Sequence, residues 1–198
     1  IARDQELPRQ RSKFYAKAVE VLCHHWDANK NLALPDDRHL DADDKLDLLR
    51  RIAVRMQTAE EGLRGNAIAE EDLEAEIESY LLDEHWEENP ATAKRATRRM
   101  IQQLHERNYI LCLRGPRLYG FVHRTFLEYL TAAEYALRFN RQPQRLSEDG
   151  LLELFVEHYR DDAWSEVLRL LCGQIDERYA NRIMRLLLDR ANLDYWNR

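Results

Sequence analysis

Two β-prone runs, YILCLR (residues 109–114) and LYGFVH (118–123), stand in a chain whose other apolar residues recur mostly at helical spacing. A turn containing Gly115 and Pro116 joins them, so the pattern predicts a β-hairpin set among helices. Six glycines and five prolines in 198 residues leave room for few other turns. The chain therefore reads as helix-rich.

Upstream of the hairpin, residues 7–27 read as a helix entered through Pro8. Its apolar stripe runs Phe14, Ala18, Leu22 and Trp26, with Tyr15 and Val19 beside it. Residues 29–44 lack periodicity and hold a Pro-Asp-Asp turn signal, which predicts a loop. A second helix from Asp44 turns Leu46, Leu49, Ile52, Ala53 and Met56 to one side. Gly62 and Gly65 break it, and a short extended piece follows around Ala67 and Ile68. A third helix, from residue 69, carries Leu73, Ile77, Tyr80 and Leu81 inward and crowds acids into its first turn, where the helix dipole favours them. A fourth has Asn89 as N-cap and Pro90 at its first position. Its buried side is Ala93, Ala96, Thr97, Met100, Ile101 and Leu104.

After the hairpin, Phe126, Tyr129, Leu130 and Ala133 mark the inner side of a further helix. Three short helices follow, with Trp164 and Leu168 expected in the next buried layer. Their short joins suggest stacked helical hairpins. The order helix, extended piece, helix, helix, hairpin, helix is that of a winged helix. The expected fold is thus all-α with a small β-hairpin wing. A helical segment spans residues 1–35, a winged-helix domain 36–140, and the start of a helical-repeat region 141–198.

Function classes are narrowed by what the sequence lacks. No Gly-x-x-x-x-Gly-Lys-Ser/Thr run can cradle a triphosphate, and neither a Gly-x-Ser-x-Gly elbow nor a His-Glu-x-x-His pair occurs. No catalytic residue and no metal site is assigned. Cys23, His24 and His25 are adjacent, and neighbours on one helix diverge by about a hundred degrees, too far to share a metal easily. Cys23, Cys112 and Cys172 have no metal or redox spacing and read as buried, reduced thiols of a cytoplasmic protein. No apolar run approaches the ~20 residues that cross a bilayer.

The net charge of −6 is unevenly spread. Residues 70–88 hold ten acids and no lysine or arginine; residues 90–124 hold eight basic residues and one acid. Lys94, Arg95, Arg98 and Arg99 sit where a winged helix places its groove-reading helix, which raises DNA binding as a reading. Against it, the preceding helix is strongly acidic, and early exposed positions lack Asn or Gln for base edges. The favoured reading is a basic face that pairs with the acidic element or with an acidic domain elsewhere. Taken alone, His123 reads as a histidine that caps or packs at a helix start.

The ordered combination resembles a known family. FVHRTFLEYLTAAEY (121–135) resembles the Phe-x-His-x-Thr/Ser-Phe-Gln-Glu-Tyr/Phe-x-Ala-Ala signature of NACHT proteins, signal-transducing NTPases of the STAND class. Residues 7–27 resemble the Leu-Pro-x-x-Arg-x-x-Leu-Tyr helix just beyond that family's nucleotide-binding core. Residues 98–123 resemble its winged-helix hairpin, and DDAWSEVLRLLCGQI (161–175) the helical region that follows. Leu127 stands where the family usually has Gln and Thr131 where Ala is frequent, positions expected to pack.

The resemblance implies a regulatory arm that controls the closed, ADP-bound state against the open state of an NTPase core outside this chain. The chain starts without a methionine and reads as a fragment. By alignment, His123 would contact a phosphate of ADP, but only with the core present. ATP or ADP and Mg²⁺ are implied for the full-length protein and no cofactor for this fragment. The implied partners are the NTPase core of its own chain and a second copy of the intact protein; no membrane contact is expected. The alternative is a winged-helix nucleic-acid-binding module.

Overall fold

The computed structural model describes residues 11–29, 40–59, 66–106 and 110–196, with the side chains of 22–29, 103, 106 and 191–196 left aside. Among the described residues there are eight helices and three strands. In chain order they are α1 (Arg11–Asn29), α2 (Ala42–Gln57), β1 (Ile68–Ala69), α3 (Glu70–Asp83), α4 (Pro90–Glu106), β2 (Leu111–Gly115), β3 (Leu118–Phe121), α5 (Arg124–Arg141), α6 (Glu148–His158), α7 (Ser165–Cys172) and α8 (Glu177–Trp196).

Helix α2 begins earlier than its apolar period suggests. The loop expected through Asp44 ends at Asp41, because Asp41 and Asp44 form a reciprocal capping box. The Asp41 carboxylate accepts from the Asp43 and Asp44 amides, and the Asp41 amide donates to the Asp44 carboxylate. Most of the remaining expected loop, like Pro8, Gly62 and Gly65, lies outside the described residues. Helix α4 starts as read: the Asn89 side chain accepts from the Ala91 amide at 2.8 Å.

The sheet is antiparallel with order β1-β3-β2. β1 is the short extended piece upstream, paired Ile68 to Tyr119 and Ala69 to Leu118. β2 pairs Leu111 with Phe121 and Leu113 with Tyr119, with an irregularity before Gly115. At the wing tip Arg117 adopts φ 55°. Its carbonyl accepts from the Glu70 amide, and its guanidinium reaches the Glu70 and Glu71 carboxylates at 2.8 and 3.1 Å. The wing is thereby fastened to the first turn of α3.

The core is centred on α2, whose Leu48, Leu49, Ile52, Ala53 and Met56 are fully buried. The inward residues expected of α3 and α4 are buried as well. Helix α5 packs against α2 on one side and α7 on the other. Trp164 and Leu168 are buried in that second layer, where the Trp164 ring stacks on His158 at 4.0 Å.

Two expected faces are corrected. On α1, Phe14 is 44% exposed, whereas Val19 is buried and Tyr15 and Ala16 pack against the core. The Tyr15 ring lies 6.1 Å from that of Tyr129 on α5, so α1 meets the core along this neighbouring edge. Leu22 and Trp26 lie among the side chains left aside. On α5, Tyr129 and Leu130 are buried as expected, but Phe126 and Ala133 are only half-buried. Leu127, Thr131 and Ala132 are fully buried instead. Helix α5 has α2, α7 and α1 packed against it, so it buries a wider stripe than one face; Leu127 and Thr131 share the helical edge of Glu134, which meets Arg50 of α2.

Candidate functional site

Helix α5 is entered from β3 through Val122 and His123. His123 is the N-cap residue, in extended conformation (φ −126°, ψ 132°), and its side chain makes no capping hydrogen bond. The ring is exposed and lies 5.9 Å from the Phe126 ring. The first turn of α5 contains no acid, and Arg124 opens it.

This start differs from those of the other described helices after α1. Side-chain oxygens of Asp41, Asn89, Ser147 and Asp176 cap α2, α4, α6 and α8. α3 and α7 lack such a cap but carry acids in their first turns, Glu70, Glu71 and Asp72 in α3 and Glu166 in α7. Among these helices, only α5 leaves its positive dipole end without a cap or a first-turn acid, next to a histidine that can donate from its ring. Chemically, this arrangement can receive an anion.

The chain leading into His123 is held from both sides. The Val122 amide donates to the Ile110 carbonyl at 3.0 Å. The Asn66 side-chain amide donates to the Phe121 carbonyl at 2.6 Å, and its oxygen accepts from the Phe121 amide at 2.8 Å. The Arg114 guanidinium donates to the Phe121 carbonyl at 2.6 Å and to the Val122 carbonyl at 3.3 Å. Sequence reasoning missed both Asn66 and Arg114. The Gly-Asn pair at 65–66 was the available signal, since asparagine tolerates the left-handed backbone that Asn66 adopts at φ 60°.

Behind His123, Glu128 is buried and accepts from Arg124 at 2.9 Å. Burial pushes its carboxyl above the usual range, and the Arg124 hydrogen bond and charge pull the other way. Glu166 on α7 pairs with Arg11 at 3.0 Å and with Arg169 at 3.6 Å. Leu127 and Thr131, the two departures from the signature, are buried away from solvent.

The basic residues of α4 all face solvent: Lys94, Arg95, Arg98 and Arg99. Arg98 approaches Glu74 of α3 at 3.7 Å. The other α3 acids draw arginines from elsewhere: Arg55 pairs with Asp72, and Arg51 with Glu76 and Asp83. The acidic helix is thus neutralised mainly from α2 and the wing. Among the described residues, no ion pair reaches Lys94, Arg95 or Arg99. A groove of about 470 Å³ between α3, α4 and the wing is lined by Glu70, Glu74, Arg98 and Arg117, charges of both signs.

Cys112 and Cys172 are free thiols, half-buried rather than buried as expected. The side chains of Cys23, His24 and His25 lie outside the described residues. Among those described, no cluster of three or more histidine, cysteine or acidic side chains could hold a metal. No described helix is long and apolar enough to cross a membrane.

Compared with known proteins, residues 11–135 match the family described as the winged helix-turn-helix domain C-terminal to NACHT. None of the curated proteins and none of the solved structures compared matches the chain.

Proposed function

The chain belongs to the family of winged helix-turn-helix domains C-terminal to NACHT, and from that premise we propose that it is the regulatory arm of a NACHT-type signal-transduction NTPase. The matched domain is not itself a catalytic NTPase domain. In this reading the engine is a core outside these residues, which binds ATP or ADP with Mg²⁺. Residues 1–35 follow that core, residues 36–140 form the winged-helix domain, and residues 141–198 begin a helical-repeat region. The setting is cytoplasmic signalling, with the core as partner in the closed state and a second copy of the intact protein as a further partner.

The observation that carries the reading is the start of α5. An exposed histidine stands at a helix N-terminus that has neither a side-chain cap nor a first-turn acid. A phosphate of ADP, presented by the core, would complete it. ADP then favours the closed arrangement only through interactions that opening breaks, because a ligand shifts an equilibrium only by its differential affinity for the two states. His123 supplies one such interaction.

The test pairs two measurements on His123→Ala. In residues 1–198 the change should alter stability by no more than ~1–2 kcal/mol, since the ring makes no capping bond. In the intact protein it should speed ADP release and raise basal activity. If the fragment unfolds while ADP release is unchanged, His123 is a structural residue and the reading fails.

Nucleic-acid binding is the second reading, favoured by Lys94, Arg95 and Arg99 on α4, which no described ion pair reaches. The acidic α3 beside them weighs against it.

A further inference from the structure

We propose that Asn66 is the positioning residue for His123, an inference that rests on the phosphate-contact reading above. β1 pairs with β3 only at Leu118 and Tyr119. One rung further along, at Phe121, the partner on that side is not backbone but the side-chain amide of Asn66. It supplies both an acceptor for the Phe121 N–H and a donor for its C=O, at 2.8 and 2.6 Å. Asn66 is 7% exposed and Phe121 is fully buried. This is a buried peptide held in ladder fashion by a side chain, two residues before His123.

The geometry is specific to asparagine. Aspartate would keep the acceptor but set an anion against the Phe121 carbonyl. Alanine would leave the buried Phe121 N–H without that partner. Arg114 already shares the Phe121 carbonyl, so one donor survives either change. The surviving restraints are Arg114 and the Val122 amide on the β2 side. Loss of Asn66 therefore frees the β1 side of the segment that aims His123, while the hairpin pairing stays. Asn66 touches no reacting group; it acts through the position of His123.

The experiment uses Asn66→Ala and the milder Asn66→Asp in residues 1–198 and in the intact protein. In residues 1–198, amide hydrogen exchange of Phe121 to Arg124 should accelerate in both variants, and the His123 ring resonances should broaden or split. Exchange in the α2 core should remain as in the parent. In the intact protein, ADP release should quicken about tenfold, the size expected when one hydrogen-bonding interaction is removed. The Asn66→Ala/His123→Ala double variant should release ADP no faster than His123→Ala alone.

Unchanged exchange and unchanged ring resonances overturn the proposal. So does a double variant whose effect is the product of the single effects, which would make Asn66 independent of His123. If His123→Ala leaves ADP release untouched, the phosphate-contact reading is what fails. The exchange and ring measurements then still decide whether Asn66 positions His123. If Asn66→Ala does not fold, Asn66→Asp carries the same comparisons.

Discussion

Arg50 of α2 and Glu134 of α5 face each other 3.4 Å apart across the central helix pair. Arg50 also reaches Asp47 at 2.9 Å, and Glu134 accepts from Arg138 at 2.8 Å. Glu134 is almost wholly buried, yet its Oε2 and the Arg50 Nε lack a well-formed hydrogen bond. The pair therefore joins α2 to α5 by charge more than by directed bonding.

Removing only the acid should leave Arg50 largely buried beside α5 with Asp47 as its remaining partner, and Arg138 without Glu134. Glu134→Ala is expected to cost about 3 kcal/mol in urea unfolding. The double change Arg50→Met with Glu134→Leu should cost less, because the charges that lose a partner, Asp47 and Arg138, are both part exposed to water. A loss below ~1 kcal/mol for Glu134→Ala would mean that the pair is solvated in practice.

The corrected face of α5 makes a ranking. Leu127 is fully buried and Phe126 only half so. Leu127→Ala should cost about 2–5 kcal/mol. Phe126→Ala should cost less than the ~3–5 kcal/mol of a buried aromatic, despite removing the larger side chain. Denaturant midpoints in the reverse order would restore the face expected from spacing alone.

Gly120 lies where the Asn66 turn crosses β3. A Cβ there would stand 2.1 Å from the Asn66 carbonyl oxygen and 3.0 Å from the Arg114 side chain. Glycine in a strand often marks such a close backbone approach. Gly120→Ala is expected to cost about 3 kcal/mol, at the upper end for overpacking, because a backbone atom is the obstacle. Thermal melts read this directly; a variant as stable as the parent would show that the turn can move aside.

Glu128 sets a pH dependence with a definite sign. Burial raises its carboxyl above the ordinary range, so the folded state holds the proton more tightly than the unfolded one. Its contribution is fully present below the unfolded value, about pH 4, and is lost as pH rises through the raised folded value. Glu166 faces it with like charge, and Arg124 and Arg11 with opposite charge. Relative to Glu128→Gln, the parent melting temperature should therefore fall between acidic and neutral pH. A parent advantage that grows instead would show that the Arg124 pair outweighs burial.

The exposed cations of α4 should give salt-sensitive association with duplex DNA and no more. Lys94, Arg95 and Arg99 can neutralise phosphates, while Arg98 is drawn toward Glu74. Anisotropy titrations should show binding that fades between about 50 and 200 mM salt without sequence preference. A preferred site that survives the higher salt would promote the nucleic-acid reading.

Much of the fold was legible from local pattern. The buried sides of α3 and α4 follow from apolar spacing that only one helical face can satisfy, from Leu73 to Leu81 and from Ala93 to Leu104. The hairpin follows from β-prone runs around one turn, and the position of His123 at the mouth of α5 from where those runs end. Each of these is decided by residues close in sequence, which is why spacing could find them.

What tertiary structure decided is how the elements approach one another. Phe14 is apolar and well placed on α1, yet exposed, because apolar residues cover more than one edge of that helix and α2 and α5 meet only one of them. Phe126 yields its place to Leu127 because several helices pack on α5 and the stripe they cover is wider than, and turned from, the one that spacing marks. The arginines that neutralise α3 come from α2, α4 and the wing, and nothing in a charge run says which partners will arrive. Asn66 reaches Phe121 across 55 residues of chain. Its role arises only when β1 lies beside β3 and a side chain completes a ladder that the backbone leaves one rung short.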